Sequence, residues 1–481
     1  MNKAFYIPTW AMPKTHGHSP SQYKSMRLRA KCGRLRSNLM PGYLNSCFLL
    51  RPLGIKLLIY LALLCSCGKT FEQSIIQESV EPSPIHASIP SHEEIPSQHT
   101  DISDQSRDES AGDITQTKRI ESIDSKGLEE CNTLEIIPDI FFQTEAAIRS
   151  AIVTADGKLY FGNEKCQFYA LDISSKQILW IYTTDKPMQT RPICTDGKVI
   201  FNAENSLYIL DAETGDEIHK ITYPSDSTRR VSSADFAYND SYVAVSDGIA
   251  YFAACNGDIA ATDIEKGEII WMHPAEARGP VASGINFYEG NLYYVNGAGV
   301  LCCVSTQTRQ TVFKRDISDK VYAPIFIDGG KVYIAGRSCK VFCIDANSGE
   351  VIWSSYSIST TSWFSGGSVS IGNTLYTCTS DEHTLLAFDK HTGEFLRSYP
   401  IELNGYTLPL LHGRNIIVAA TNVYTRKSAC IMEFDTQSHT KIWRALLKDS
   451  VLSSPAMHQG ILYFGSDSGA VYSINLINTP F

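Results

Sequence analysis

From Phe168 to the C-terminus the chain repeats one short pattern eight times. Each copy has an aromatic or β-branched run, a turn, and a second run ending in an acid or a stand-in for one, often with Thr-Gly or Ser-Gly just beyond. The copies end at Asp172, Asp211, Asp263, Ser305, Asp345, Asp389, Asp435 and Asn475, with gaps of 39, 52, 42, 40, 44, 46 and 40 residues. A period of roughly 40 residues made of strand-type segments is what one four-stranded sheet per repeat produces. The expected fold is therefore all-β: an eight-bladed β-propeller of four-stranded antiparallel blades over residues 131–481.

One unit shows why the residue types recur. An inner strand, Thr190-Arg191-Pro192-Ile193-Cys194, meets Asp196-Gly197, a dipeptide that tolerates the positive φ of a tight hairpin. Lys198-Val199-Ile200-Phe201 and Leu207-Tyr208-Ile209-Leu210-Asp211 follow as second and third strands, and Ala212-Glu213-Thr214-Gly215 turns into the outer strand. In alternate units that outer strand carries Trp180, Trp271, Trp353 and Trp443, large rings suited to the wedge between neighbouring sheets. Asp156-Gly157, Asp247-Gly248 and Asp328-Gly329 repeat the hairpin signal in phase, and Pro192, Pro280, Pro324, Pro409 and Pro455 mark inner strands, whose unpaired edge suits a residue without an amide donor.

These segments resemble a known family. Tyr169-Ala170-Leu171-Asp172, Ile209 to Gly215, and Phe342-Cys343-Ile344-Asp345 through Trp353 are similar to the repeat named after the pyrroloquinoline quinone enzymes. Compact blades behind a lipoprotein signal resemble, within that superfamily, the BamB family of periplasmic scaffolds for outer-membrane β-barrel assembly. The resemblance implies a non-enzymatic scaffold, with a barrel-assembly protein as partner. A propeller binding a cell-envelope polymer or small ligand is an alternative reading, and a quinone-dependent dehydrogenase a further one, because many activities share the scaffold.

The N-terminal third reads differently. Residues 1–66 hold ten Lys or Arg and no acid, whereas 67–130 hold fourteen acids against five bases, which leaves −10 for 131–481 and −19 for everything after Ser66. An acidic body with no basic cluster argues against nucleic acid as a partner. Arg51 and Lys56 precede the short apolar stretch Leu57 to Leu64, which runs into Leu64-Cys65-Ser66-Cys67. That ending resembles a bacterial lipobox, with Cys67 as the acylated residue and residues 40–66 as the signal. By resemblance to enterobacterial lipoprotein sorting, Gly68 rather than aspartate after the cysteine implies the outer membrane, facing the periplasm. Residues 1–39 exceed any ordinary signal and are expected to be an upstream extension of the reading frame. Residues 67–130, rich in Ser, Glu, Asp and Pro, cannot bury enough apolar surface to offset chain entropy and are expected to be a disordered tether. A tether of about 60 residues spans about 40–45 Å on average.

Chemistry-bearing motifs are sparse. Cysteines 166, 194, 255, 302, 303, 339, 343, 378 and 430 fall where strands would place Val or Ala and read as buried thiols, with no paired CxxC for zinc. Cys339 and Cys343 could face each other across a hairpin. The adjacent pair Cys302-Cys303 matches one feature of quinoprotein alcohol dehydrogenases, yet it lies in an ordinary third strand, where neighbours point to opposite faces. The repeated aspartates read as turn caps rather than calcium ligands, and His383, His391, His412, His439 and His458 as solvated. No cofactor, metal or catalytic residue is assigned. The longest gap, from Asp211 to Asp263, contains Arg229, Arg230 and Asp235 in a loop beyond what linking two blades requires. On an acidic body these residues are the expected partner-binding contact.

Overall fold

The computed structural model describes residues 117–118, 133–225, 242–275, 281–357 and 362–477. Among them every regular element is a strand, and the strands form eight separate sheets. The first, blade 1, runs from the channel outward as Val153–Ala155, Lys158–Gly162, Gln167–Asp172 and Ile178–Thr183. Seven further sheets follow in chain order, each antiparallel from inner to outer strand. Inner strands of successive blades touch across the ring: Ile152 N donates to Ser454 O at 3.2 Å and Ile285 N to Tyr242 O at 3.3 Å.

The middle strands are apolar on both faces because both faces are buried between blades. Val199, Phe201, Tyr208 and Leu210 pack toward blade 1 with Tyr160, Phe168 and Trp180. Their neighbours Ile200, Leu207 and Ile209 pack toward blade 3 with Phe252 and Ala260. Each such fully buried aromatic or branched side chain contributes about 1.5–3 kcal/mol relative to exposure. Cys302 and Cys303 follow the same alternation. Cys302 packs with Tyr251 and Tyr294, and Cys303 with Tyr293 and Ile334.

The recurring Thr-Gly has a packing cause. Gly215, at φ +76°, lies against the Trp180 ring of the preceding blade so closely that a Cβ would sit 2.5 Å from it. A Cβ on Gly349 would likewise overlap the Phe313 ring, and one on Gly393 would sit 2.5 Å from the Trp353 ring. The turn must therefore be left-handed and bare to admit the ring. The acids just before it cap the turn, as their spacing predicts. Asp211 Oδ1 accepts the Glu213 and Thr214 amides at 2.8 Å each, and Asp345 Oδ1 accepts those of Asn347 at 3.0 Å and Ser348 at 2.8 Å. The Ser348 amide holds the Asp345 carboxyl below the usual range. Ser305 and Asn475 cap in the same way through Thr308 and Ile477.

In sequence the last repeat stops just after its third strand, and Leu134-Glu135-Ile136-Ile137 with Ile140-Phe141-Phe142 read as the outer strand that closes its blade; the structure differs from this in part. Asp139–Gln143 does supply it, antiparallel to Ala470–Asn475. Leu134–Glu135 instead pairs in parallel with Trp443 and Arg444 on the outer edge of blade 7, where Arg444 Nη2 meets Glu135 Oε1 at 2.6 Å. Thr117–Lys118, within the segment read as tether, pairs in parallel with Ser354 and Ser355 on the edge of blade 5. Cys339 and Cys343 do not face each other across a hairpin. Cys339 is a turn residue at φ +67° and Cys343 lies inside the strand Lys340–Asp345 that follows it.

Candidate partner-docking rim

The turns sort onto two rims. Turns joining first to second strands are tied to turns joining third to fourth, through Ile173 N to Gly157 O, Ala212 N to Gly197 O and Ile264 N to Gly248 O, each 2.9 Å. The opposite rim collects the turns between second and third strands together with the connections between blades, tied by Thr184 N to Cys166 O at 2.8 Å and Ile401 N to His383 O at 2.9 Å. This second rim carries the longer segments. The longest runs from blade 2, which ends at Thr222, to blade 3, which begins at Ala244.

The base of that connection is firmly held. Tyr223 is buried and its hydroxyl donates to Asp258 Oδ2 at 2.6 Å, while Asp258 Oδ1 accepts the Ala275 amide at 2.6 Å. Asn205 bridges both sides, donating to Ser225 O at 3.3 Å and accepting the Cys255 amide at 2.8 Å. Arg229, Arg230 and Asp235 lie outside the described residues, as does Cys67.

The same rim carries a cluster that the sequence reading missed. Trp363 lies between Tyr322 and Tyr406, with ring centroids 5.9 and 5.5 Å apart and planes at 78° and 82°. The exposed Arg337 guanidinium sits 5.8 Å from the Tyr322 ring centroid and 5.7 Å from that of Trp363. Tyr424, 78% exposed, donates to Asp381 Oδ1 at 2.8 Å. Edge-to-face rings under a guanidinium form a stiff patch, with Tyr406 buried beneath the half-buried Trp363 and Tyr322, since each contact limits the motion of the others. One signal in the sequence points to it. Trp363 precedes its blade's first strand, Phe364–Ile371, whereas Trp180, Trp271, Trp353 and Trp443 all lie in outer strands.

Other candidate groups are placed differently. His412, expected to be solvated, is half-buried, with Nδ1 2.8 Å from Oε1 of the fully buried Glu433. Asn415 Nδ2, at 2.7 Å, and Trp443 Nε1 complete that carboxylate's partners, so it is a satisfied structural group. Burial pushes the Cys303 thiol up to about 11 and the Cys343 thiol up to about 12, which suppresses the reactive thiolate. Among the described residues no group of three or more His, Cys, Asp or Glu is arranged to hold a metal ion.

Comparison with known proteins places this geometry in a family. A family model described as outer membrane protein assembly factor BamB matches residues 138–355 and 255–478. The chain is 24% identical over 222 residues to the outer membrane protein assembly factor BamB of Yersinia pestis, covering 44% of this chain and 54% of that protein. It is 23% identical over 228 residues to that of Escherichia coli strain K12, covering 45% and 55%, and 22% identical over 306 residues to that of Moranella endobia, covering 60% and 74%. In the Yersinia and Escherichia cases the match spans about half of the relative's length. The crystal structure of BamB from Moraxella catarrhalis superposes with a TM-score of 0.55 at 16% identity, covering 70% of this chain and 99% of that one. A computationally designed protein, Ika8, superposes with a TM-score of 0.57 at 15% identity, covering 71% and 98%. At such identities the structural likeness speaks for the fold.

Proposed function

The chain belongs to the BamB family of outer membrane protein assembly factors, and from that premise we propose that it is a non-enzymatic scaffold lipoprotein assisting outer-membrane β-barrel assembly. It works as a monomer within a complex, held to the outer membrane on its periplasmic side by lipid on Cys67. Its partner is a barrel-assembly protein, engaged through the loop-bearing rim, with Arg229, Arg230 and Asp235 as part of the contact.

The observation that carries this reading is the Tyr322, Arg337, Trp363 and Tyr406 cluster. Trp, Tyr and Arg dominate the energetics of protein interfaces because they bury large areas at low entropy cost and keep a polar handle. Here they are already stacked against one another, so docking orders little that is not ordered beforehand. The pyrroloquinoline quinone chemistry of distant propellers finds no counterpart in the strand that carries Cys302 and Cys303, whose side chains belong to different blade interfaces.

In cells lacking this chain, the folded, heat-modifiable fraction of outer-membrane barrel proteins should fall and return when the chain is resupplied. Unchanged barrel levels would remove the assembly role. The anchor is tested separately. Cys67→Ala should move the protein from the membrane to the soluble fraction without changing its melting temperature, because a lipid on a distant residue adds membrane affinity and no core packing. Retention of Cys67→Ala in the membrane, or an unmodified cysteine by mass spectrometry of the wild type, would rule the anchor out.

A further inference from the structure

We infer that the seam where the ring closes, between blades 8 and 1, holds a binding site for a tryptophan side chain presented by another polypeptide. The site lies on the rim opposite the docking rim and goes beyond the scaffold reading. It is a cavity of about 550 Å³, lined among others by Asp139, Phe141, Ile173, Lys176, His458 and Tyr463. That volume lies in the range of roughly 300–1,000 Å³ usual for ligand sites.

The other seven blades show what belongs there. In each, the outer-strand residue paired with the position two before the turn-capping residue is large: Trp180, His219, Trp271, Phe313, Trp353, Arg397 and Trp443. In blade 8 that position is Asp139, paired with Ser473. Phe141, from the bulge two residues on, leans edge-on against Tyr463 and leaves the rest of the wedge as the cavity.

The chain's own tryptophans define the contacts on offer. Trp180 and Trp353 lie with ring centroids 5.9 and 6.1 Å from Tyr160 and Tyr333. Indole and phenol then share one carbonyl of the next blade. Ala212 O accepts Trp180 Nε1 at 3.4 Å and the Tyr160 hydroxyl at 3.0 Å, and Lys390 O accepts Trp353 Nε1 at 3.2 Å and the Tyr333 hydroxyl at 3.3 Å. Their counterparts at the seam are Tyr463, paired with Ser473, and Ile173, the residue after Asp172, and both line the cavity. The side chain of Lys176 in the receiving turn does not bar an indole. Trp271 packs with Tyr294 and Val304 of blade 4, whose turn carries Arg309 at the same left-handed position. Lys176 Nζ already stands 5.3 Å from the Phe141 ring centroid, an ammonium suited to a second aromatic face.

A second, independent observation points to a ligand. Tyr463 is only 1% exposed, yet its hydroxyl has no hydrogen-bond partner among the described residues and opens to the cavity. A phenol so placed leaves its desolvation uncompensated until a partner arrives. The exposed Asp139 carboxylate, a pure acceptor, also has no partner among the described residues. A tryptophan within a polypeptide satisfies both groups, since its indole N–H is a donor for the carboxylate or for Ile173 O, and its peptide carbonyls accept from the phenol.

The test uses the full chain and Nα-acetyl-tryptophanamide as the probe, titrated by saturation-transfer NMR. Saturable binding is expected, at least fivefold tighter than that of the 1-methyl-indole analogue, which lacks the N–H, and of 3-methylindole, which lacks the peptide groups. Asp139→Trp, which puts the residue of the sister blades into the wedge, should abolish binding in a folded ring. Tyr463→Phe should weaken it several-fold with the melting curve unchanged. Absence of saturable binding, equal affinity for the methylated analogue, or full affinity in Tyr463→Phe or in folded Asp139→Trp would overturn the proposal. Equally tight 3-methylindole would make the ligand a free indole, and tighter binding by a chain ending at Ile477 would make the chain's own terminus the occupant; either result would overturn it too. No barrel-assembly partner enters the assay, so its failure leaves the scaffold reading intact.

Discussion

A chain lacking residues 139–143 is expected to melt well below the intact protein or to aggregate on folding. These five residues are the outer strand of the last blade, paired with Ala470–Asn475. They carry Phe141, which is 8% exposed and stacks edge-on against Tyr463 at 5.1 Å and 79°. Phe141 also packs with Ile148, Leu159 and Tyr169, so the strand seals blade 8 against blade 1. Truncating a buried Phe to Ala costs about 3–5 kcal/mol, a large share of the roughly 5–15 kcal/mol that holds a typical protein folded. Removing the whole strand also exposes the edge of Ala470–Asn475, a template for intermolecular pairing. Phe141→Ala should reproduce most of the loss without the edge. Deleting 134–137 should do far less, because blade 7 keeps five strands, all paired antiparallel, without Leu134–Glu135. Melting curves by circular dichroism separate the three variants. A 139–143 deletion that melts like the intact chain would place ring closure elsewhere.

The repeat was legible because most blades solve the same local problem with the same residue types, although Lys176, Arg309 and His439 take the glycine's left-handed position in three of them. An acid caps the turn, a glycine admits the neighbouring ring, and alternating apolar residues serve two blade interfaces. Asp211 with Gly215 and Asp345 with Gly349 show the cap and the bare turn within five residues. Ring closure was only half legible. Leu134, Glu135 and the run from Ile140 to Phe142 look alike as short strands, and nothing local says which edge each will meet. The structure divides them between blade 7 and blade 8. The His412 and Glu433 pair was opaque for a similar reason, since the two residues are neighbours only across strands of the same blade. The rim cluster was least legible of all. Tyr322, Arg337, Trp363 and Tyr406 come from loops and turns spread over some 85 positions, and only the ring geometry of the propeller brings them together. Residues 229, 230 and 235, singled out by loop length and charge, lie outside the described residues, and only the ends of their connection are placed on that rim.

The most direct test of the docking account is capture of the barrel-insertase subunit from detergent-solubilised envelopes on immobilised wild type and on an Arg337→Glu, Trp363→Ala double variant. Central Trp and Arg residues each contribute about 2 kcal/mol or more to an interface, and about 1.4 kcal/mol is tenfold in affinity. The account therefore predicts recovery below about a tenth of wild type. Arg337→Glu alone, at an exposed position, should already lower recovery several-fold with an unchanged melting curve. An Arg229→Glu, Arg230→Glu variant should likewise reduce recovery. Full recovery of the insertase subunit by the folded Arg337→Glu, Trp363→Ala protein would contradict the claim that this rim is the docking surface.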